Sequence, residues 1–210
     1  MERVLHLARM MAGLRLAEYE GSAIARAAWK DVPEPGAESG VRLQRRGSRF
    51  LQLRCTETEE PLAGEITVSL MLGKMRHGKA RKAKAATRRE GTPWRAFSRD
   101  EILAFVTAAG DENSIHRRAR AVVPGLLILQ ELLAEQPRVQ AVELRFFHPL
   151  HAGEEVRFVP EKQGFLAMAG GEAKFFCRLH GRENFLEEAH RKKEEAALPF
   201  DIEKKRGLNV

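Results

Sequence analysis

Apolar positions along the chain fall into helical and strand-like runs, and the changes between them mark its elements. The segment FSRDEILAFVTAAG has helical spacing. Ser98 stands three places before Glu101, as in a capping box; Ile102, Leu103, Phe105 and Val106 supply an apolar face, and Gly110 ends the run. Behind Pro124-Gly125, LLILQELLAEQ is apolar nearly all round, which predicts a long helix buried on every side. The chain then changes period. VQAVELRFFHPL, EVRFVPEKQ and FLAMAGGEAKFFCRLHG read as strands, with the turn HAGE after the first and a hairpin at Gly170-Gly171 in the last. RENFLEEAHRKKEEAALPF closes the pattern as a charged helix with Glu187/Arg191 and Glu188/Lys192 pairs four residues apart, ended near Pro199.

The first hundred residues repeat the later part of this pattern. A helix over about residues 2–16 precedes SAIARAAWKDVPEPGAE and then GVRLQRRGSRFLQLRCTETEEPLAGEITVSLML, which read as strands. ARAAWKDVPEPGAE and VELRFFHPLHAGEE share one grammar: a strand, a proline-bearing corner, a glycine and an acid opening the next strand. Two related units follow from this. Between them lies KMRHGKARKAKAATRREGTPW, poor in large apolar residues and punctuated by Gly78, Gly91 and Pro93. The predicted division is a first unit over 1–73, a basic linker over 74–95, a second unit over 96–182, and a charged helix and tail over 183–210.

Composition narrows the class. Apolar residues make up 43% of the 210 and charged residues 31%, as in a soluble globular protein. No run approaches the roughly 18 apolar residues of a membrane span. His6, Arg9 and Arg15 interrupt the apolar start, which argues for a domain helix over a secretory leader and for a cytoplasmic protein. Cys55 and Cys177 lie far apart in strand-like segments without metal-ligand spacing, so two buried reduced thiols are expected. The net charge of +7 is local: Lys74 to Arg95 holds nine Lys/Arg against Glu90 alone, a net of +8, and the rest of the chain sums to −1.

One loop breaks the pattern of bland connections. Between the two helices of the second unit, GDENSIH places Asp111, Asn113 and His116 within six positions, and three arginines follow. Two readings are open for such a loop. In one, Gly110 is a C-cap, Asp111 and Asn113 form turns, and His116 is a surface histidine. In the other, the loop is catalytic.

AFVTAAGDENSIH, followed by PGLLIL and VELRFFHPLHAGEEVRF, resembles the MaoC-like dehydratases, a group that includes R-specific enoyl-CoA hydratases. The resemblance spans about residues 97–180. It rests on a Gly-Asp-x-Asn-x-hydrophobic-His signature, a glycine opening the central helix, and a Pro-x-x-x-Gly-Glu corner. It implies an α+β hot-dog fold, with a central helix wrapped by antiparallel sheet, and two such units in tandem as a double hot-dog. The implied reaction is reversible hydration of an enoyl thioester to a 3-hydroxyacyl thioester. By the same resemblance Asp111 and His116 are the catalytic pair, Asn113 the orienting amide and Gly125 the oxyanion-binding glycine. The chemistry needs such groups: a base for water, a proton for the alpha carbon, and N–H donors for the charge on the thioester oxygen. No cofactor is implied beyond the CoA or phosphopantetheine arm of the substrate.

The sequence departs from that family at two places. Ser114 stands where proline is usual, predicting a less rigid loop. Only nine positions separate His116 from Gly125, a shorter connection than the family's, and the family's small residue six places after the histidine falls on Val122. A related arrangement, with an acid one turn into the central helix, is excluded by Gln130 at that place.

Arg117, Arg118 and Arg120 admit two readings, capture of CoA phosphates or an acidic carrier protein, and a solvated basic loop. The 74–95 run is read as steering an anionic carrier; it lacks the interleaved aromatics of a single-strand nucleic-acid binder. His148 and His151 flank Pro149 as structural or exposed residues, and no metal site is expected. The expected partners are acyl-CoA or acyl carrier protein, with a further pairing into a homodimer and no membrane. Two alternatives stand beside the hydro-lyase: a non-catalytic acyl-thioester-binding or regulatory module, and a nucleic-acid-associated protein using the basic run.

Overall fold

The computed structural model describes residues 2–73 and 91–181. The chain runs α1 (Glu2–Ala12), β1 (Ala23–Lys30), β2 (Gly40–Arg46), β3 (Phe50–Glu57), β4 (Gly64–Met71), β5 (Thr92–Pro93), α2 (Arg99–Ala109), α3 (Gly125–Glu135), β6 (Val139–Phe146), β7 (Arg157–Glu161), β8 (Gly164–Ala169) and β9 (Glu172–Gly181). The capping box forms as expected: Ser98 Oγ accepts from Glu101 N at 3.1 Å, and Glu101 Oε2 accepts from Ser98 N at 2.7 Å. Gly110 closes α2 in the left-handed region, at φ 70°.

The strands form one nine-stranded sheet in the order β2-β3-β4-β1-β6-β9-β8-β7-β5, with every pairing antiparallel. The two halves are joined edge to edge: β1 and β6 are hydrogen-bonded neighbours, Ala28 facing Glu143, and the sheet is continuous across them. Outward from that seam the order is β1-β4-β3-β2 on one side and β6-β9-β8-β7 on the other, so the two halves trace the same path.

Of the expected helices, α1 is shorter than its apolar spacing suggests. The apolar run behind Pro124 gives 11 residues of helix, and α1 ends at Ala12 instead of continuing to Leu16. α3 is apolar all round because it is enclosed: Gly125 through Gln130 and Leu132 are all buried. The inward faces of both halves meet in one core that includes Leu7, Leu53, Ile66, Ile102, Leu129 and Phe175. Cys55 and Cys177 sit in it fully buried, and burial pushes each thiol up to about 12, which keeps them protonated and inert.

Three glycines fix the second half. Gly170 and Gly171 take φ 59° and 83°, the two-residue turn that closes β8 onto β9. At Gly164, φ 154°, a Cβ would lie 2.0 Å from the Cys177 carbonyl oxygen, so only glycine fits.

Gly91–Arg95, expected in the linker, belong to the second half. Thr92 and Pro93 pair with β7, and the Trp94 ring stacks on Phe158 at 4.8 Å while its Nε1 donates to Glu135 at 2.8 Å. The remaining linker, 74–90, and the charged segment 183–210 lie outside the described residues.

Candidate active site

A cavity of about 650 Å³ opens between α1, the start of β1, the 110–116 loop and the N-terminus of α3. Both halves line it, with Met11, Ile24 and Val68 from the first and Asp111, His116 and Leu126 from the second. It lies in the range of small-molecule pockets.

The polar loop descends into this cavity. Asp111 N donates to Val106 O at 2.8 Å, continuing the end of α2, and Ser114–His116 form a single 3₁₀ turn. That turn carries His116 inward, leaving it only 7% exposed. Its Nδ1 lies 2.7 Å from the Val122 carbonyl oxygen. A carbonyl can only accept, so Nδ1 carries the proton and Nε2 presents a lone pair when the ring is neutral. Nε2 faces Asp111 Oδ2 at 3.6 Å, beyond a direct hydrogen bond and suited to a shared hydroxyl between them. Burial holds the His116 imidazole below its ordinary value, against the upward pull of the Val122 carbonyl and the Asp111 charge. At neutral pH the ring is therefore an uncharged base.

Asn113 is buried and does not face the cavity as a free amide. Its Oδ1 accepts from Gly21 N at 3.1 Å and Ile115 N at 3.3 Å, while its Nδ2 donates to Ser22 O at 2.9 Å. Its own N–H donates to Asp111 Oδ1 at 2.9 Å. Asn113 thus ties the loop to the chain entering β1 and orients the Asp111 carboxylate. Ser114 extends the same strap: its N–H donates to Glu20 Oε2 at 3.3 Å and its hydroxyl to Glu20 Oε1. A proline at 114 would lack that N–H, so the rigidity expected to be missing here is supplied from Glu20. Those bonds also hold the Glu20 carboxyl below the usual range.

Gly125 opens α3 on the cavity wall. Neither its N–H nor that of Leu126 bonds a described residue, whereas Leu127 and Ile128 N–H both reach Pro124 O. A Cβ at 125 would stand 3.1 Å from Phe146 Cζ and 3.3 Å from Ile24 Cβ, so the glycine is also set by close packing.

The three arginines are exposed and bonded to the protein. Arg117 donates to Asp111 O at 2.8 Å, Arg118 to Ser114 Oγ at 3.3 Å, and Arg120 to Glu154 Oε1 at 3.4 Å. His148 lines the cavity and His151 pairs by a lone bridge with Val122. Among the described residues no three His, Cys, Asp or Glu side chains gather as a metal would require.

Sequence reasoning missed the first half's share of the site. Glu20, Gly21 and Ser22 hold the loop from more than 90 positions away. Tyr19 lines the cavity, its hydroxyl donating to Met11 O at 3.1 Å, with burial and then the Asp111 charge raising its pKa. No local signal marks these residues. It also missed Lys174, buried among Pro149 O, Glu154 and Glu172, with Glu154 Oε2 at 3.1 Å; this charge holds the Pro149–Glu154 corner.

No family model matches the chain, and no curated protein matches it. Solved structures do. Two structures of HtdX from Mycobacterium tuberculosis align at 14% and 12% identity with TM-scores of 0.56 and 0.57. Each alignment covers 86% of this chain and 86% or 87% of the other. The full-length peroxisomal multifunctional enzyme type 2 from Drosophila melanogaster aligns at 14% identity over 85% of this chain and 40% of its own, with a TM-score of 0.51. The chain shares the fold of these structures. Among the described residues no helix is long and apolar enough to cross a membrane.

Proposed function

We propose that this chain is a hydro-lyase of the MaoC-like kind, a tandem double hot-dog that adds water reversibly across an enoyl thioester. The observation that carries the reading is the Asp111–His116 pair, with Nδ1 committed to Val122 O and Nε2 facing the carboxylate beside the cavity. A water between Nε2 and Oδ2 would lose its proton to the neutral imidazole as its oxygen adds to the beta carbon. The electron pair of the double bond moves to the thioester oxygen, where the N–H groups of Gly125 and Leu126 lie at the positive end of α3. The proton then passes to the alpha carbon, and the sum is one water added. The mirrored strand order supports the tandem reading, the first half serving as buttress and cavity wall. The substrate is carried on CoA or acyl carrier protein, in fatty-acid metabolism within the cytoplasm.

The test is purified full-length protein with a short enoyl-CoA, following loss of the conjugated thioester absorbance. Turnover that disappears in Asp111→Asn and His116→Ala is expected. No turnover above the double variant, with enoyl-CoA and then with an enoyl carrier protein, would refute the reading. Release of free thiol in place of a 3-hydroxyacyl product would assign the same dyad to thioester hydrolysis.

A further inference from the structure

We propose that Arg15 is the anion-binding residue at the mouth of this site, taking a phosphate of the substrate's pantetheine arm. The inference rests on the thioester reading above. Arg15 lies on the turn that leads out of α1, where Gly13, Leu14 and Arg15 N–H bond back to Arg9, Met11 and Ala12 carbonyls. It holds φ 45°, and among the described residues no other non-glycine takes a positive φ. Glycine or asparagine is the ordinary occupant of such a position after a helix, because a Cβ is strained there. An arginine is therefore kept where another residue would fold better.

Its side chain supplies the reason. Arg15 is exposed and lines the cavity, and its side chain makes no hydrogen bond or ion pair with a described residue. Arginines of α1 and of the polar loop already have partners. Arg9 Nε donates to Ala108 O at 2.7 Å, Arg117 to Asp111 O, and Arg118 to Ser114 Oγ. A thioester that reaches Asp111 and His116 with its acyl end leaves its phosphate at the rim. There an uncommitted guanidinium offers two parallel N–H donors. Strain tolerated for a ligand contact is a recurrent feature of binding sites.

Arg15→Gly separates folding from binding, and Arg15→Asn does so with a second residue tolerant of this φ. Calorimetric titration with CoA, and with pantetheine as the phosphate-free control, reads the affinity; thermal melting reads the fold. Both variants are expected to melt no lower than wild type, up to about 3 °C higher. Their Kd for CoA is expected to rise about tenfold, with pantetheine unchanged and Arg15→Lys recovering part of the loss. Loss confined to a phosphopantetheinylated carrier protein would support the proposal and place the phosphate on that source. CoA and carrier bound as tightly by Arg15→Gly as by wild type would overturn it, as would equal losses for CoA and pantetheine. An inactive wild type whose CoA affinity still depends on Arg15 would refute the hydro-lyase reading alone. An active Arg15→Gly of unchanged affinity would refute this inference alone.

Discussion

Asn113→Ala should be the most destabilising single polar deletion in the loop, and its cost follows from what the amide holds. Three backbone groups depend on this side chain: Gly21 N–H, Ile115 N–H and Ser22 C=O. Ile115 and Ser22 are 6% and 3% exposed, so solvent cannot replace the lost partner, whereas Gly21 is half-buried and can be rehydrated in part. A buried backbone group left unpaired costs about 1–3 kcal/mol, and a wetted one about 0.5 kcal/mol. The total is about 2.5–6.5 kcal/mol, at the upper end of what one substitution does. Urea unfolding with m unchanged should show it as a lowered midpoint, and melting as a drop of roughly 5–25 °C for a domain of this size. Asn113→Asp sharpens the point. It keeps both acceptor contacts but sets a carboxylate oxygen against the Ser22 carbonyl, so it should not recover the loss. A change below about 0.5 kcal/mol in Asn113→Ala would refute the strap as the device that places Asp111 and His116.

Other expectations follow from the same geometry. Activity should fall as pH drops through a single pKa below the ordinary value of about 6.5, since burial depresses His116 and only the neutral ring accepts a proton; a pH–rate profile of kcat/KM checks it. Asp111→Asn should move the titration of the His116 ring itself to still lower pH, followed by NMR of the imidazole, because the Asp111 charge raises it. Stability follows the same sign: the depressed imidazole makes the unfolded chain bind more protons, so this contribution is lost as pH falls below about 6.5. Glu20→Ala should quicken hydrogen exchange at the Ser114 amide, about tenfold by order of magnitude, with the melting temperature nearly unchanged, as expected of an exposed latch. Gly164→Ala should fail to give folded protein by near-ultraviolet circular dichroism, because its Cβ would stand 2.0 Å from Cys177 O.

What the sequence disclosed and what it hid divide along physical lines. Periodicity and capping were legible because they are local: Ser98 and Glu101 are three residues apart, and Gly170-Gly171 makes its turn within four. The loop was legible for the same reason, since Asp111, Asn113 and His116 sit on one turn and share hydrogen bonds within it. The contribution of Glu20, Gly21 and Ser22 was not, because their sequence is that of an ordinary connection and it takes the tertiary pairing of the halves, β1 with β6 among them, to bring the segments together. Lys174 was hidden by a strand whose alternation makes its burial look costly; the carboxylate that compensates it comes from the Pro149–Glu154 corner. The length of α1 was overestimated because an apolar pattern does not announce where the backbone turns. α1 stops at Ala12 although Leu14 and Leu16 continue its spacing.

The short connection after His116 has a consequence that its length alone does not suggest. Nine positions to Gly125 leave no room for a long excursion, and the chain folds straight back. Val122 N donates to Ile115 O at 3.1 Å, and Val122 O receives His116 Nδ1 at 2.7 Å, so two bonds close the loop upon itself. The second of these fixes the tautomer on which the chemistry depends. Arg117 clamps the same turn from outside through Asp111 O, and the lone bridge between Val122 and His151 joins it to the Pro149 corner. The residue that falls where the family has a small side chain thus acts through its backbone. A longer insertion between Arg117 and Val122 would carry that carbonyl away and leave Nδ1 to find another acceptor. The brevity of the segment is therefore what fixes the orientation of the histidine, and it supports the proposed hydro-lyase over the non-catalytic module.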